Sequence, residues 1–167
     1  MGLFENKIKQ FPKIFDWVER QDVSRLGGFL HGNDRCNRLF VASGGSFSAA
    51  VYAEQLSADK GIMSHALTPL LYAGSGFAHV AARTLLISAS GYNNDILRAY
   101  DNGCRAEEQE VGAVVLTSKG RLQTLMQEND ANSLFGFDIP TGRDGFLSST
   151  TVLAFYTLLY RAFGHTE

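Results

Sequence analysis

The sequence predicts an α/β domain, a three-layer α-β-α sandwich built on a five-stranded parallel sheet. Two observations carry this expectation. From residue 38 onward, short apolar runs alternate with stretches of helical periodicity, and that alternation makes a parallel sheet covered on both faces. Segments rich in serine and glycine follow directly after the apolar runs, where open parallel sheets place their ligand loops. With 167 residues, 45% hydrophobic and 19% charged, the chain has the size and composition of a domain with a single core.

The elements follow in order. Phe11, Ile14, Phe15 and Val18 recur at helical spacing, and Pro12 suits a helix start. Gly27, Gly28, Gly32 and Asn33 read as breaks and turns. Residues 1–35 are therefore taken as an N-terminal helical segment and 36–167 as the sheet domain. Residues 38–42 form a buried strand, and a helix runs from 47 to 60, closed by Gly61. Residues 67–73 are a weaker strand candidate, interrupted by Pro69. Residues 84–88 are an apolar strand, and Asp95 helps begin a helix in which Ile96, Leu97, Tyr100 and Cys104 share a face. Residues 112–117 make a strand, 121–128 a helix, 133–139 the fifth strand, and 146–163 a strongly apolar final helix.

Composition excludes several classes. The net charge is −2 and the basic residues are scattered, so neither nucleic acid nor an anionic membrane is an expected partner. No stretch reaches the ~20 apolar residues that span a bilayer. The first residues lack the apolar core of a signal peptide, and Cys36 and Cys104 do not make a disulfide framework. The cytoplasm is the expected location, with both thiols reduced. His31, His65, His79 and His165 stand isolated from cysteine and acid, so neither a metal nor a cofactor is expected.

Two loops carry the chemistry. The first, Ser43-Gly44-Gly45-Ser46-Phe47-Ser48, joins a strand to a helix start. Its glycines let the backbone approach a ligand, the helix start offers N–H groups and a positive dipole end, and Ser43, Ser46 and Ser48 add hydroxyl donors. The second, Ser88-Ala89-Ser90-Gly91-Tyr92-Asn93-Asn94-Asp95, repeats the plan. Serine, glycine and asparagine also serve as turn and cap residues. Their pairing at two strand ends is what points to one shared anion.

These residues resemble the SIS family, the sugar isomerase domains of phosphosugar isomerases and phosphosugar-sensing regulators. The resemblance covers residues 38–163. The run 39–46 is similar to the family's first strand and Gly-x-Gly-x-Ser loop, with Ser43 in place of the first glycine and Gly45 retained. The run 86–95 is similar to the signature Ser-x-Ser-Gly-x-Thr-x-Asp, with Asn93 in place of threonine, and 112–118 resembles the fourth strand and its Thr-rich end. The resemblance implies a flavodoxin-like fold and a sugar phosphate held by Ser46, Ser88 and Ser90. Asn93 would assist through its NH₂ group, a hydrogen-bond donor. SIS domains commonly pair, so it also implies a homodimer or higher oligomer, or a second tandem module in a longer natural chain. The final helix and the N-terminal helix would lie in the interface.

Aldose–ketose isomerisation needs a base to move a proton between neighbouring carbons. In the amidosugar-synthase branch a glutamate precedes a Ser-Thr-Lys segment. The similar region here is Arg143-Asp144-Gly145-Phe146-Leu147-Ser148-Ser149-Thr150-Thr151. Asp144 falls at the glutamate's place as a candidate catalytic base, Ser149 and Thr150 match, and Thr151 replaces lysine. Asp144 also reads as a turn and helix-start residue. The expectation is a phosphosugar-binding domain of a sugar-phosphate isomerase; the alternative is a non-catalytic sensor or assembly module. Gly44-x-Ser46-x-Ser48 is one residue away from a hydrolase elbow, but no oxyanion-hole motif accompanies it. The loop also lacks the Gly-x-Gly-x-x-Gly of a dinucleotide site.

Overall fold

The computed structural model describes residues 5, 8–32, 37–74, 76, 82–106, 109–129, 133–141 and 149–164. Two helices, α1 (Phe11–Glu19) and α2 (Ser24–His31), precede the sheet. Then follow β1 (Asn37–Ala42), a 3-10 turn (Gly44–Ser46), α3 (Phe47–Asp59), β2 (Ser64–Leu67), α4 (Pro69–Gly74) and β3 (Ala82–Ser88). The second half holds α5 (Asn94–Cys104), β4 (Gln109–Val115), α6 (Arg121–Gln127), β5 (Ser133–Gly136) and α7 (Ser149–Ala162). All strand pairs are parallel and the order is β2-β1-β3-β4-β5. The expected three-layer α-β-α sandwich with a five-stranded parallel sheet is the fold observed.

The alternation of side chains along each strand divides the core in two. Phe40, Ala42, Leu85, Ile87 and Val114 pack with residues of α1, α2, α3 and α7. Leu39, Val41, Leu86, Ala113 and Val115 face the other way, against Tyr72 of α4 and the apolar sides of α5 and α6. The final helix is central to the first layer: Ala154, Phe155, Leu158 and Leu159 are fully buried. Arg161 in its last turn donates to the carbonyls of Val18 and, at 3.0 Å, Gln21, which ties α7 to the end of α1. On the outer sides of these helices Tyr160 and Phe15 remain exposed.

Several elements differ from expectation. The second strand is Ser64–Leu67, and most of the strand candidate at 67–73 falls in helix α4 (Pro69–Gly74) instead. Pro69 fits because a proline is tolerated in the first helical turn, and the Thr68 hydroxyl accepts the Leu71 N–H (3.3 Å) as a local cap. The glycine-marked break at 27–28 lies inside α2. A Cβ at Gly27 would sit 2.8 Å from the Ala162 carbonyl oxygen, so the glycine permits the close crossing of α2 over the end of α7. The fourth strand begins three residues earlier than expected, at Gln109, and the fifth ends at Gly136.

Two arginines at the starts of neighbouring strands hold α2 in place. Arg38, 1% exposed, donates from Nε to the Leu30 carbonyl (3.0 Å) and from Nη2 to that of Gly32 (2.5 Å). Arg83, its register partner across β1 and β3, donates from Nη1 to Phe29 O (2.7 Å) and Gly32 O (2.5 Å) and pairs with Glu110 (2.6 Å). The last-turn carbonyls of a helix carry partial negative charge, so both cations are well placed.

Candidate functional site

The chain leaves β1 outward to β2 and then crosses back to β3, so strand order reverses between β1 and β3. Such a switch point opens a crevice beyond the carboxyl ends of the two strands, because the loops that follow diverge to opposite faces. The loops at 43–48 and 88–95 are those two loops. The serine-rich segments thus follow strand ends as expected, and the structure makes those two strands neighbours.

In the first loop Gly44 has φ +58°, and the backbone turns through the 3-10 segment directly into α3. Ser43 and Ser46 are half-buried, Gly45 is exposed, and the exposed Ser48 hydroxyl donates to the Gly45 carbonyl at 3.0 Å. No side chain caps α3. Its first amide, Phe47 N–H, donates to the Gly44 carbonyl, so the amides left to water or to a ligand are those that open the 3-10 turn.

The second loop is more tightly built. Ser88 is buried at the end of β3, and its Oγ accepts the Gly91 N–H (3.2 Å). Ser90 Oγ accepts the Tyr92 N–H (3.3 Å). Gly91 has φ +67° and is buried, and a Cβ there would fall 2.2 Å from Gln123 Oε1. Asn93 is the N-cap of α5: its Oδ1 accepts from Asp95 N (2.9 Å) and Ile96 N (3.1 Å). Its amide nitrogen donates to Ser43 Oγ at 3.1 Å. That bond joins the two loops directly, and it gives Asn93 a structural task beyond that of a free donor.

Sequence reasoning missed Gln123, on α6. It is 4% exposed, and its Nε2 donates to the Thr117 carbonyl at 2.8 Å. Its Oε1 is buried without a hydrogen-bond partner and lies over Gly91 and Gly120. The backbone adds Leu116 N to Ala89 O (3.2 Å) and Leu122 N to Gly91 O (2.9 Å). The second loop is thereby fastened to the β4–α6 connection. A lone glutamine on a short helix carries no signal of this in the sequence.

At the sheet's far side Asp138 accepts the Ser118 N–H, linking the ends of β4 and β5. Ser149, at the start of α7, has its Oγ buried and unpartnered, as does the Oγ1 of Thr141. Thr150 and Thr151 are buried. Arg143 and Asp144, the candidate base, lie outside the described residues, as do His79, His165 and Cys36. His65 stands 4.0 Å from Glu54, both partly exposed, and His31 packs edge-on to Phe163 at 5.7 Å. Among the described residues no group of three or more His, Cys, Asp or Glu could hold a metal, and no helix is long and apolar enough to cross a membrane.

No family model and no curated protein matches the sequence. Solved structures do match the fold. Tagatose-6-phosphate ketose/aldose isomerase from Escherichia coli superposes with a TM-score of 0.77 at 13% identity, over 96% of this chain and 47% of that one. This chain therefore spans about half the length of that isomerase. A phosphoheptose isomerase from Francisella tularensis gives 0.68 at 14% identity, over 98% of this chain and 97% of that one. The Vibrio vulnificus NanR protein, complexed with ManNAc-6P, gives 0.76 at 11% identity, over 97% of this chain and 61% of that one. The parallel sheet in the order 2-1-3-4-5, the two serine loops at its switch point and these likenesses agree, and the fold of this chain is the SIS fold.

Proposed function

We propose that this domain binds a sugar phosphate between the loops at 43–48 and 88–95, and that it serves a sugar-phosphate aldose–ketose isomerase. The supporting observation is the Asn93–Ser43 hydrogen bond, which brings the two serine loops together at the strand-order switch point. Ser43, Gly45, Ser46, Ser88, Ser90 and Asn93 would surround the phosphate with neutral donors, aided by the backbone amides that open the 3-10 turn before α3. Ser149, whose buried hydroxyl lacks a partner, would donate to the ligand from α7. Asp144 would act as the base that moves the proton between C1 and C2. The tagatose-6-phosphate and phosphoheptose isomerases of similar fold support this reading.

A non-catalytic sensor or assembly module is the second reading. The observation favouring it is Thr151, buried in α7 at the position where the resembling enzymes carry lysine. NanR, of similar fold, is complexed with ManNAc-6P. In either reading the domain works in the cytoplasm as a homodimer or higher oligomer, or beside a second SIS module.

Titration calorimetry with arabinose 5-phosphate, sedoheptulose 7-phosphate and N-acetylmannosamine 6-phosphate tests the binding. Micromolar affinity that Ser88→Ala and Ser90→Ala each weaken is expected. Absence of binding by every phosphosugar would overturn the reading. NMR detection of aldose–ketose conversion, abolished by Asp144→Asn, separates the enzyme from the sensor.

A further inference from the structure

A cavity of about 680 Å³ opens beside the first loop on the α4–α5 side of the sheet. Its size is within the roughly 300–1,000 Å³ of small-molecule sites. Ser43 and Gly44 form one edge, so it adjoins the loops assigned to the phosphate. Thr68, at the end of β2, and the second and third turns of α5 form the other edges.

Its lining is charge-balanced. Asp95 and Asp101 supply acceptors, and Arg98 and Arg105 supply donors, so the formal charges cancel. A second phosphate or carboxylate would meet two carboxylates as well as two guanidinium groups. The Asn102 amide and the Ser43 and Thr68 hydroxyls add neutral groups that both donate and accept. Pro69, Leu70 and Ala73 make an apolar wall, and Leu70 stays 84% exposed there. Alternating donors and acceptors opposite an apolar wall fit a neutral polyol, whose hydroxyls need both kinds of partner and whose C–H edges need apolar contact.

The donors are free to serve. Arg98 has Asp95 one turn before it and Asp101 one turn after it, the spacing of helical ion pairs. Yet among the described residues the side chains of Arg98, Asn102 and Arg105 make no hydrogen bond or ion pair.

We propose that this cavity reads the sugar hydroxyls of the bound phosphosugar, with Arg98 and Asn102 as specificity-determining residues. This inference rests on the phosphate site proposed above and assigns the direction in which the sugar extends from it. It adds to the motif residues a helical face that no loop motif includes.

Calorimetry on wild type and the Arg98→Ala/Asn102→Ala double variant tests it, with inorganic phosphate and three phosphosugars (arabinose 5-phosphate, glucose 6-phosphate and N-acetylmannosamine 6-phosphate) as probes. Removing two polar contacts to the sugar should weaken the best phosphosugar about tenfold or more and narrow the differences among the three. Affinity for inorganic phosphate should stay within about twofold, since a change of that size is only ~0.4 kcal/mol. Unchanged phosphosugar affinity in the folded double variant would overturn the inference and leave the phosphate site standing. An equal loss for phosphate and phosphosugar would also overturn it, because the residues would then act on the phosphate. Failure of wild type to bind any of the phosphosugars would overturn both proposals. If the double variant unfolds, Arg98→Gln alone, at an exposed position, carries the same comparison.

Discussion

The Asn93 side chain serves two elements at once: its carbonyl oxygen caps α5 through the amides of Asp95 and Ile96, and its nitrogen reaches Ser43 Oγ at 3.1 Å. The first task concerns helix stability and the second concerns the spacing of the two loops. They can be separated by substitution. Asn93→Ala loses both, and the lost cap should cost about 1 kcal/mol, read as a lower Tm. Asn93→Asp keeps the cap, and its charge suits the helix N-terminus, so Tm should hold or rise slightly. It removes the donor to Ser43 and places a carboxylate between the loops. Phosphosugar affinity should then fall more than about tenfold, a ~1.4 kcal/mol loss by calorimetry. Equal effects of the two variants on stability and on affinity would contradict this division.

The second loop depends on Gly91 and on the side chain that covers it. Gly91→Ala forces a Cβ into a left-handed backbone position, at about 1–2 kcal/mol, and pushes against Gln123 Oε1 2.2 Å away. Gln123→Ala leaves the backbone relaxed but opens a space beneath the loop and removes the donor to Thr117 O. Both variants should weaken phosphosugar binding without touching the ligand, and Gly91→Ala should also lower Tm by several degrees. Thermal melts together with calorimetry distinguish them. Wild-type affinity in Gly91→Ala would show that the loop's shape is not needed for binding.

How far this was legible in the sequence depends on the range of the interaction involved. The strands at 38–42 and 84–88 and the loops after them were readable because each is local: an apolar run, then glycine and hydroxyl residues in sequence. The edge strand Ser64–Leu67 was not, because it is short and only partly buried, with little apolar pattern to see. Gly27 and Gly28 gave a turn signal, yet both lie inside α2, where the need for glycine at 27 follows from contact with Ala162, far along the chain. Gln123 was invisible for the same reason, since its role appears only once α6 is laid beside the 88–91 loop. The Asn93–Ser43 bond spans 50 residues, and the departure of Asn93 from the family motif concealed that the amide could cap a helix and bridge the loops together.

Arg38 presents a stability test away from the site. It is almost wholly buried and satisfies carbonyls at the end of α2 from the start of β1. Arg38→Met keeps the length of the stem and removes the charge and donors. The Leu30 carbonyl would then lose its side-chain donor while the Gly32 carbonyl keeps Arg83, and a loss of roughly 1–3 kcal/mol in unfolding free energy is expected. Arg83→Met should cost less, because Arg83 is more exposed and one of its partners is the half-exposed Glu110. Urea denaturation of the two variants checks the order. A milder effect for Arg38 than for Arg83 would show that α2 is held mainly by its apolar contacts.

Two buried phenols set the behaviour at high pH. Burial pushes both the Tyr72 and the Tyr100 hydroxyls above the usual tyrosine range. Tyr72 also donates to Gln109 Oε1 at 2.6 Å, an acceptor it shares with Thr84, and Tyr100 donates to the Leu125 carbonyl at 3.3 Å. Below the unperturbed pKa of about 10 the folded and unfolded chains both keep these protons, so the groups add no pH dependence. Above it the unfolded chain loses them first, binds fewer protons than the native state, and gains stability relative to it. Unfolding free energy should therefore fall as pH rises beyond about 10. Ultraviolet titration should show these two phenols ionising only as the chain unfolds. The double variant Tyr72→Phe/Tyr100→Phe should flatten the alkaline slope while lowering stability at neutral pH by about 1 kcal/mol per lost hydrogen bond. An unchanged slope in that variant would assign the alkaline transition to other groups.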